Sequence, residues 1–398
     1  MAQPPHGSFA LDISLSDEHR AIDENVARIC ARFDDAYWTE CDQTPRFPEE
    51  FHRAMAEAGW LGITMPVELG GAGLGVTEAA IMMHAVARGG GGFAAASAIH
   101  VNLFGPHAVV VHGTEEQKKR WLTPLIEGRE KVCFGVTEPN AGLDTTNIET
   151  FARRTNEGYV IRGRKMWTTT ALEADKILLL TRTTARADCK RPTEGMTLFY
   201  ADMDRSKIEV RRIEKMGRSA VDSNAVFIDD LPVTDDERVG EEGKGFYYLL
   251  DSLNPERILF GIEAVGLGRD ALRRAADYAR ERRVFGRAIG QNQSIQHPLA
   301  ESWAALESTY WMCLRAAQLF DWKKPCGAEA NAAKLLGGRA AFEAATRAVM
   351  THGGMGYARE YQVERLFRES ILPRIIPVTE QLILSFIAEN VLDQPKSY

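Results

Sequence analysis

The sequence predicts a mainly α-helical protein with a β-rich domain in its middle. Apolar residues recur at spacings of three and four from residue 16 to about residue 127, the pattern of amphipathic helices. Between about residues 131 and 232 the pattern changes to short β-type runs separated by charged or glycine-containing turns. The helical pattern returns at about residue 245 and continues to near the C-terminus. Because 398 residues exceed what one core usually supports, we expect two or three structural units.

The first predicted unit, residues 1–130, is all-α. Ser16 and the acids that follow it form a helix-start signal, since a serine side chain can accept from the free N–H groups of a first turn. The loop at residues 66–75 superficially resembles a dinucleotide-binding fingerprint, but Val76 stands where the third glycine of G-x-G-x-x-G belongs. The sequence therefore argues against a doubly wound dinucleotide-binding fold.

The second predicted unit, residues 131–238, is a β domain. Its clearest runs are residues 159–161, 176–180, 197–200 and 225–228. No helix of crossover length separates these runs, so an antiparallel barrel or sandwich is favoured over a parallel sheet.

The third predicted unit, residues 239–398, follows a glycine-punctuated acidic link at residues 240–245. Ile258, Ile262, Val265 and Leu272 form an apolar stripe at helical spacing. Long helices with short connections indicate a helical bundle.

Composition excludes several classes of protein. A formal charge of -7 argues against nucleic acid as a partner, which requires a surplus of Lys and Arg. No apolar run approaches the roughly 20 residues that span a bilayer, so we expect no membrane span. The six cysteines form no C-x-x-C pair, so we expect neither disulfides nor a metal site. Residues 1–7 show no targeting pattern, and we expect a cytoplasmic protein.

Four segments, in order along nearly the whole chain, carry the chemistry. They are residues 134–144 (FGVTEPNAGLD), residues 163–169 (GRKMWTT), residues 251–257 with 282–287 and 291–293, and residues 351–357 with 364–368 and 377–381. Taken singly, each has an ordinary structural interpretation: a tight turn, a strand, a solvated basic patch, or a histidine, His352, beside glycines. Together they resemble the acyl-CoA dehydrogenase family.

The resemblance implies an N-terminal α domain, an antiparallel β-barrel and a C-terminal four-helix bundle. It also implies FAD as cofactor and a homo-oligomer, a tetramer or dimer, in which subunits share the FAD. Matching positions imply that FAD is contacted by Phe134, Val136, Thr137, Gly142, Trp167, Thr168, Thr169, Arg282, Phe285, Gln293, Gly353, Gly354, Thr379 and Gln381. They imply acyl-CoA contacts from Leu143, Asn254 and Arg257. Leu143 replaces a serine that is frequent in the family, and Met350 replaces the usual glutamine.

Removal of a thioester α-proton requires a carboxylate beside that carbon. Many family members carry this glutamate before a Gly-Thr pair near the C-terminus, where this chain has Pro377. A second family arrangement, that of isovaleryl-CoA and some long-chain enzymes, resembles Glu256-Arg257, so we expect Glu256 to be the catalytic base. The alternative is a helix that starts at Asn254, in which Glu256 only complements the helix dipole. Glu263, two turns further on, is a weaker candidate.

Pro377 also removes a hydrogen-bond donor. In the family, the thioester carbonyl accepts from a flavin ribityl hydroxyl and from the backbone N–H of the base at the more common position. Proline has no N–H, so Val378 or another donor must substitute, or the reaction differs.

The resemblance implies an acyl-CoA dehydrogenase that makes trans-2-enoyl-CoA in fatty acid β-oxidation and passes electrons to an electron-transfer flavoprotein. Two alternatives stay open. One is a flavoenzyme of the same fold with another reaction, an acyl-CoA oxidase, a nitroalkane oxidase or an acyl-CoA desulfinase. The other is a catalytically silent family member.

Overall fold

A computed structural model of the protein describes residues 15–396, apart from the side chain of Phe104. The predicted absence of a targeting segment concerns residues 1–7, which lie outside the described residues. The N-terminal helices are α1 (Asp17–Cys30), α2 (Asp35–Gln43), α3 (Glu49–Glu57), α4 (Val76–Val86), α5 (Gly92–Phe104), α6 (His107–His112) and α7 (Glu115–Ile126). The predicted start of the first helix is confirmed, because the Ser16 side chain accepts from the His19 N–H at 3.1 Å.

A kink separates α4 from α5. Residues Ala87–Gly91 form one wide turn, in which Gly90 has a φ of 95° that favours glycine. The first N–H groups of α5 are satisfied from the other end of the chain: Glu369 accepts from the backbone N–H of Phe93 at 2.7 Å and of Ala94 at 3.3 Å. The start of α5 is therefore capped by a residue 276 positions away from Phe93.

The middle of the chain forms a sheet of eight strands: β1 (Val132–Gly135), β2 (Phe151–Thr155), β3 (Gly158–Thr169), β4 (Lys176–Arg182), β5 (Met196–Asp202), β6 (Ile208–Arg212), β7 (Ser223–Val233) and β8 (Arg238–Val239). The order is β6-β7-β3-β2-β4-β5-β8, with β1 beside β4. The β-rich domain is confirmed, with most neighbours antiparallel as predicted. Two pairings differ, since β1 and β2 each run parallel to β4. The β2–β3 hairpin intervenes between β1 and β4 and lets them run in the same direction.

The C-terminal elements are α8 (Gly245–Glu281), β9 (Arg283–Val284), β10 (Arg287–Ala288), α9 (Gln293–Asp321), α10 (Gly327–His352), α11 (Val363–Ser370), α12 (Leu372–Ile375) and α13 (Glu380–Asn390). The alternative in which a helix starts at Asn254 is wrong, because α8 begins at Gly245 and continues through Pro255. Burial of this helix against α10 outweighs the local cost of an interior proline. Glu256 therefore lies in the body of a helix, away from its dipole end.

The two helical units share one hydrophobic core. Val26 and Met83 from the N-terminal helices pack in the same buried cluster as Ile258 and Ile262 of α8. The sheet has its own core, which includes Ile161 and Phe199. The proposed domain boundaries at 130/131 and 238/239 fall before β1 and inside β8.

Helices α8 and α10 approach each other closely through glycine. A Cβ on Gly337 would lie 2.5 Å from the carbonyl oxygen of Gly261, and a Cβ on Gly261 would lie 2.8 Å from that of Ala333. Larger side chains at these positions would push the helices apart. This contact fixes α10 against the part of α8 that carries Glu256.

Two stretches of the described chain are long and apolar enough to pass a membrane-span test based on length and composition. Val76–His112 is one of them, and 82% of its most apolar part is buried in the protein, as expected of core helices. Val363–Asn390 is divided among α11, α12 and α13 and is 17% buried. Such stretches are weak evidence for a membrane span, and its absence stays a prediction.

Candidate active site

A cavity of about 520 Å³ lies between the sheet, α5, α8 and the loop before α13. Eight of the predicted site residues line it: Phe134, Val136, Thr137, Leu143, Trp167, Thr169, Glu256 and Arg257. These residues come from three of the four motif segments, which are distant in sequence. The structure thus brings the predicted catalytic carboxylate and part of the predicted cofactor wall to one place.

The loop that follows β1 is held by a buried ion pair. Lys165 of β3 donates to Glu138 at 2.8 Å and to the carbonyl oxygen of Val136 at 3.1 Å. Glu138 also accepts from the backbone N–H of Thr150 at 3.0 Å. Burial lowers the pKa of Lys165 to about 8, against the opposing effect of Glu138. These bonds position Thr137, whose carbonyl oxygen accepts from the Met166 N–H at 2.8 Å.

Trp167 and Thr169 lie on the cavity side of β3. Trp167 has a φ of 60° and exposes 55% of its surface, so its ring faces open space. Thr168 lies between them and is buried, and Asn224 Nδ2 donates to its carbonyl oxygen at 3.0 Å. Alternation of side chains along a strand directs Thr168 away from the cavity. The structure therefore does not place the Thr168 side chain with the other predicted cofactor contacts.

Glu256 faces the cavity from α8. Burial raises the pKa of its carboxyl to about 7, while His100 and Arg257 act in the opposite direction. Within residues 15–396, no hydrogen bond to either oxygen of this carboxylate is found. A carboxylate with a pKa near neutrality and no competing donor is suited to act as a general base.

Arg257 and Asn254 form a polar pair at the cavity edge. Arg257 Nη1 donates to Asn254 Oδ1 at 3.1 Å, and only Arg257 lines the cavity itself. The Nε of Arg257 is buried without a hydrogen-bond acceptor among the described residues. Such an unpartnered donor has capacity for an anionic or carbonyl ligand.

Pro377 and Val378 form part of the cavity wall. The position that many relatives give to their base therefore lies in this wall, although proline cannot accept a proton. Lys334 of α10 is fully buried and donates to the carbonyl oxygen of Val378. In the described part of the chain, the N–H of Val378 donates to no acceptor, which leaves it available to a ligand.

Nine predicted cofactor residues lie outside the cavity in this chain: Thr168, described above, and eight others. Phe285 sits at the tip of the β9–β10 hairpin and is 100% exposed. A Cβ added to Gly353 or Gly354 would meet no atom within 4 Å. Thr379 caps α13 by accepting from the Leu382 N–H. Arg282, Gln293, Gln381 and Gly142 are exposed. His352 is buried and stacks on Tyr278.

Sequence reasoning missed most of the apolar lining. Phe246, Leu249, Leu250 and Leu253 precede Glu256 at helical spacing on one face of α8. This stripe is visible in the sequence, but the predicted apolar stripe began only at Ile258. Met166 lies within the segment 163–169 but was not singled out. Other lining residues come from distant segments, where no local signal marks them: Val101, Asn331, Leu382 and Phe386.

The residues present fit a flavin. The exposed face of Trp167 offers stacking area to a planar ring, and the hydroxyls of Thr137 and Thr169 lie on the same wall. A helical scaffold with a central sheet, an aromatic wall and a carboxylate on the same cavity suits the class of flavin-dependent oxidoreductases.

Three family models together match most of the chain. Residues 16–129 match the acyl-CoA dehydrogenase N-terminal domain, residues 133–231 the middle domain and residues 243–392 the C-terminal domain. The chain belongs to the acyl-CoA dehydrogenase family, whose members are FAD-dependent oxidoreductases.

Relatives agree over nearly the full length. An acyl-CoA dehydrogenase of Mycobacterium tuberculosis is 33% identical over 390 residues, which cover 96% of this chain and 98% of the relative. The caffeyl-CoA reductase–Etf complex subunit CarC of Acetobacterium woodii is 32% identical over 344 residues, 86% of this chain and 89% of that protein. A solved structure of butyryl-CoA dehydrogenase from Megasphaera elsdenii has a TM-score of 0.90 at 26% identity, covering 96% of this chain and 100% of that chain.

Proposed function

We propose that this protein oxidises the Cα–Cβ bond of an acyl-CoA thioester to give a trans-2-enoyl-CoA. The observation that carries the proposal is the position of Glu256, which faces a cavity whose other wall is formed by Trp167 and Thr169. The reaction needs a base on one side of the substrate and a hydride acceptor on the other, and these two walls supply places for both.

Glu256 takes the α-proton in this mechanism. Its pKa of about 7 leaves a large fraction ionised at neutral pH, and its burial makes the carboxylate a stronger base than one in water. No hydrogen bond from the described residues has to be broken before the proton is accepted. The apolar residues that precede it on α8, such as Leu249 and Leu253, exclude water from the acyl chain.

Phe134, Val136, Thr137, Trp167 and Thr169 are proposed to hold the flavin ring on one chain. When bound, FAD supplies the acceptor for the β-hydride. The exposed residues Arg282, Phe285, Gln293, Gly353 and Gly354 are proposed to contact the FAD of another subunit in a homo-oligomer, since this chain gives them no part in its own cavity. Four further FAD contacts stay predictions, because their residues do not line the cavity: Gly142, Thr168, Thr379 and Gln381.

The thioester carbonyl needs a donor in place of the one that Pro377 lacks. The Val378 N–H is proposed for this role, because it lines the cavity and Lys334 holds the same residue through its carbonyl oxygen. Arg257, assisted by Asn254, is proposed to bind the CoA portion, with Leu143 at the entrance.

Electrons are proposed to pass to an electron-transfer flavoprotein in the cytoplasm, in fatty acid β-oxidation. Support comes from the Acetobacterium woodii relative, whose name places it in a complex with such a flavoprotein. The substrate class is the acyl-CoA thioesters, with the acyl chain to be found by experiment.

The test is anaerobic reduction of the bound flavin by a panel of short, branched, aryl and long acyl-CoA thioesters. Bleaching by at least one thioester, with the enoyl-CoA as product, is expected. A flavin that no thioester reduces would overturn the proposal. Oxygen consumption or sulfite release in parallel assays would indicate an oxidase or a desulfinase, and a preparation unable to take up FAD would indicate a silent member.

A further inference from the structure

A second pair of ionisable side chains is buried behind the proposed base. Glu263 lies two turns after Glu256 on α8 and is 0% exposed. His100 of α5 donates through Nδ1 to Glu263 Oε1 at 2.5 Å, and the imidazole is itself almost fully buried. Neither residue lines the cavity, but Val101, the neighbour of His100, does. The pair therefore joins the two helices, α5 and α8, that contribute Val101 and Glu256 to the cavity wall.

The surroundings favour a charged pair. Arg218 is buried nearby and donates to Ser97, one turn before His100 on α5, at 2.9 Å. Burial raises the pKa of Glu263, whereas the charge of His100, the hydrogen bond from its ring and the charge of Arg218 all act in the opposite direction and favour the ionised carboxylate. Burial alone would lower the pKa of His100, but the charge of Glu263 and the hydrogen bond to it outweigh burial and raise it. An imidazolium with an ionised partner is the expected state.

Four charged groups act on the carboxyl group of Glu256. On α8 they are Arg257 and Glu263, on α5 His100, and on α10 Lys334. Burial is the largest influence on the pKa of Glu256 and raises it; His100 opposes burial more than any other group does, ahead of Arg257, while Glu263 raises the pKa further. The group that most lowers the pKa of Glu256 is therefore His100 on α5.

We propose that His100, kept charged by Glu263, is a positioning residue that supplies a fixed buried positive charge beside Glu256 and so keeps the base ionised at neutral pH. The inference rests on the proposed role of Glu256 as base. It assigns a use to two buried ionisable groups that touch neither substrate nor cofactor in the proposed mechanism. It also explains why a carboxylate can be placed in an apolar cavity without losing its charge.

The test is His100→Gln in the FAD-loaded protein. Removing the cation should shift the acid limb of the flavin-reduction rate upward by about one pH unit, so that activity lost at pH 6.5 returns at pH 9. A merely structural role would lower the rate at every pH without moving the midpoint, and that result would overturn the proposal. Glu263→Gln should shift the limb in the same direction but less, because it also removes a negative charge that opposes ionisation of Glu256.

His52→Gln is the matched control. His52 is equally buried, but burial lowers its pKa to about 4, so it carries no charge at neutral pH, and it does not line the cavity. The midpoint should stay at the wild-type value in this variant. Flavin content and melting temperature, measured for each protein, separate misfolding from the expected shift.

A second readout does not require turnover. A water-soluble carbodiimide with an amine couples to protonated carboxyl groups, and mass spectrometry of the peptide that contains Glu256 gives the labelling rate against pH. The labelling midpoint should rise in His100→Gln by the same amount as the kinetic limb. Full turnover in Glu256→Gln would refute the proposed base. An unchanged labelling midpoint in His100→Gln would refute the link between His100 and Glu256.

Discussion

The wall around Glu256 and the surface around Phe285 differ in almost every physical respect. Glu256 is half-buried on the wall of a cavity, and the charges of His100, Arg257, Glu263 and Lys334 act on its carboxyl group. Phe285 projects fully exposed from a two-stranded hairpin, near arginines and glycines that enclose nothing in this chain. A single chain forms the cavity around Glu256. The surface around Phe285 has side chains suited to a ligand, but they line no cavity in this chain. The contrast supports the proposal that the base acts within one subunit and that part of the FAD is bound between subunits.

The largest expected effect is loss of the base. Glu256→Gln keeps the shape of the side chain but cannot accept the α-proton, so flavin reduction should slow by about 1,000-fold, within the range that general bases contribute. Stopped-flow absorbance under anaerobic conditions measures this rate. The spectrum of the oxidised flavin should stay normal, and Glu157→Gln, in an exposed turn, should reduce at the wild-type rate. Rapid reduction in Glu256→Gln would move the base to another residue.

A smaller effect is expected at the exposed region. Arg282→Gln removes a charged donor from the proposed intersubunit contact, and FAD affinity should fall about 10- to 100-fold, as for loss of a charge-assisted hydrogen bond. Flavin fluorescence on dilution reports this affinity. Arg280→Gln is the control, because Arg280 lies on the same helix end and is paired with Asp277. Equal losses in both variants would argue for general electrostatics and against a specific contact.

The two regions should also respond differently to pH. With a Glu256 pKa of about 7, raised by burial, the base is protonated below that pH, so flavin reduction should rise about 10-fold from pH 6 to a plateau near pH 8. FAD retention through Arg282 should stay constant over the same range, because guanidinium groups remain charged. A rate that is flat from pH 6 to 8 would contradict the assignment of the base.

The smallest effect is expected from one methyl group. Gly354→Ala places a Cβ in open space, so melting temperature should be unchanged, while FAD affinity should drop a few-fold if another subunit's cofactor approaches this backbone. Gly356→Ala should behave in the opposite way. Its Cβ would lie 2.3 Å from the carbonyl oxygen of Val349 and should lower the melting temperature. A wild-type affinity for FAD in Gly354→Ala would leave the glycine pair without a cofactor role.

Much of the fold could be predicted because its local signals agree with its packing. The apolar spacing predicted the helical regions, and the β-type runs predicted β3, β4, β5 and β7. The short strands β1 and β2 were missed, and so were their parallel pairings, because parallel register depends on which distant strand lies alongside. The sequence left a helix start at Asn254 open, since the packing that carries α8 through Pro255 is a tertiary effect.

The candidate site was predictable where a motif carries its chemistry locally. Glu256, Arg257, Trp167 and Thr169 lie in such motifs, and all four line the cavity. Thr168 did not follow, because the alternation of one strand decides which side chains face the ligand. His100 and Glu263 illustrate the opposite limit, since no sequence pattern connects residues 163 positions apart that meet in a core.

The cap that Glu369 provides to α5 can form only late in synthesis of the chain, because Glu369 follows Phe93 by 276 residues. A ribosome adds about 5–20 residues per second, so on the order of tens of seconds separate the emergence of Phe93 from that of its carboxylate partner. During that interval the N-terminal helices also lack the α8 and α10 surfaces against which they are buried. The nascent N-terminal third should therefore expose apolar surface and depend on chaperones until the last helices are synthesised.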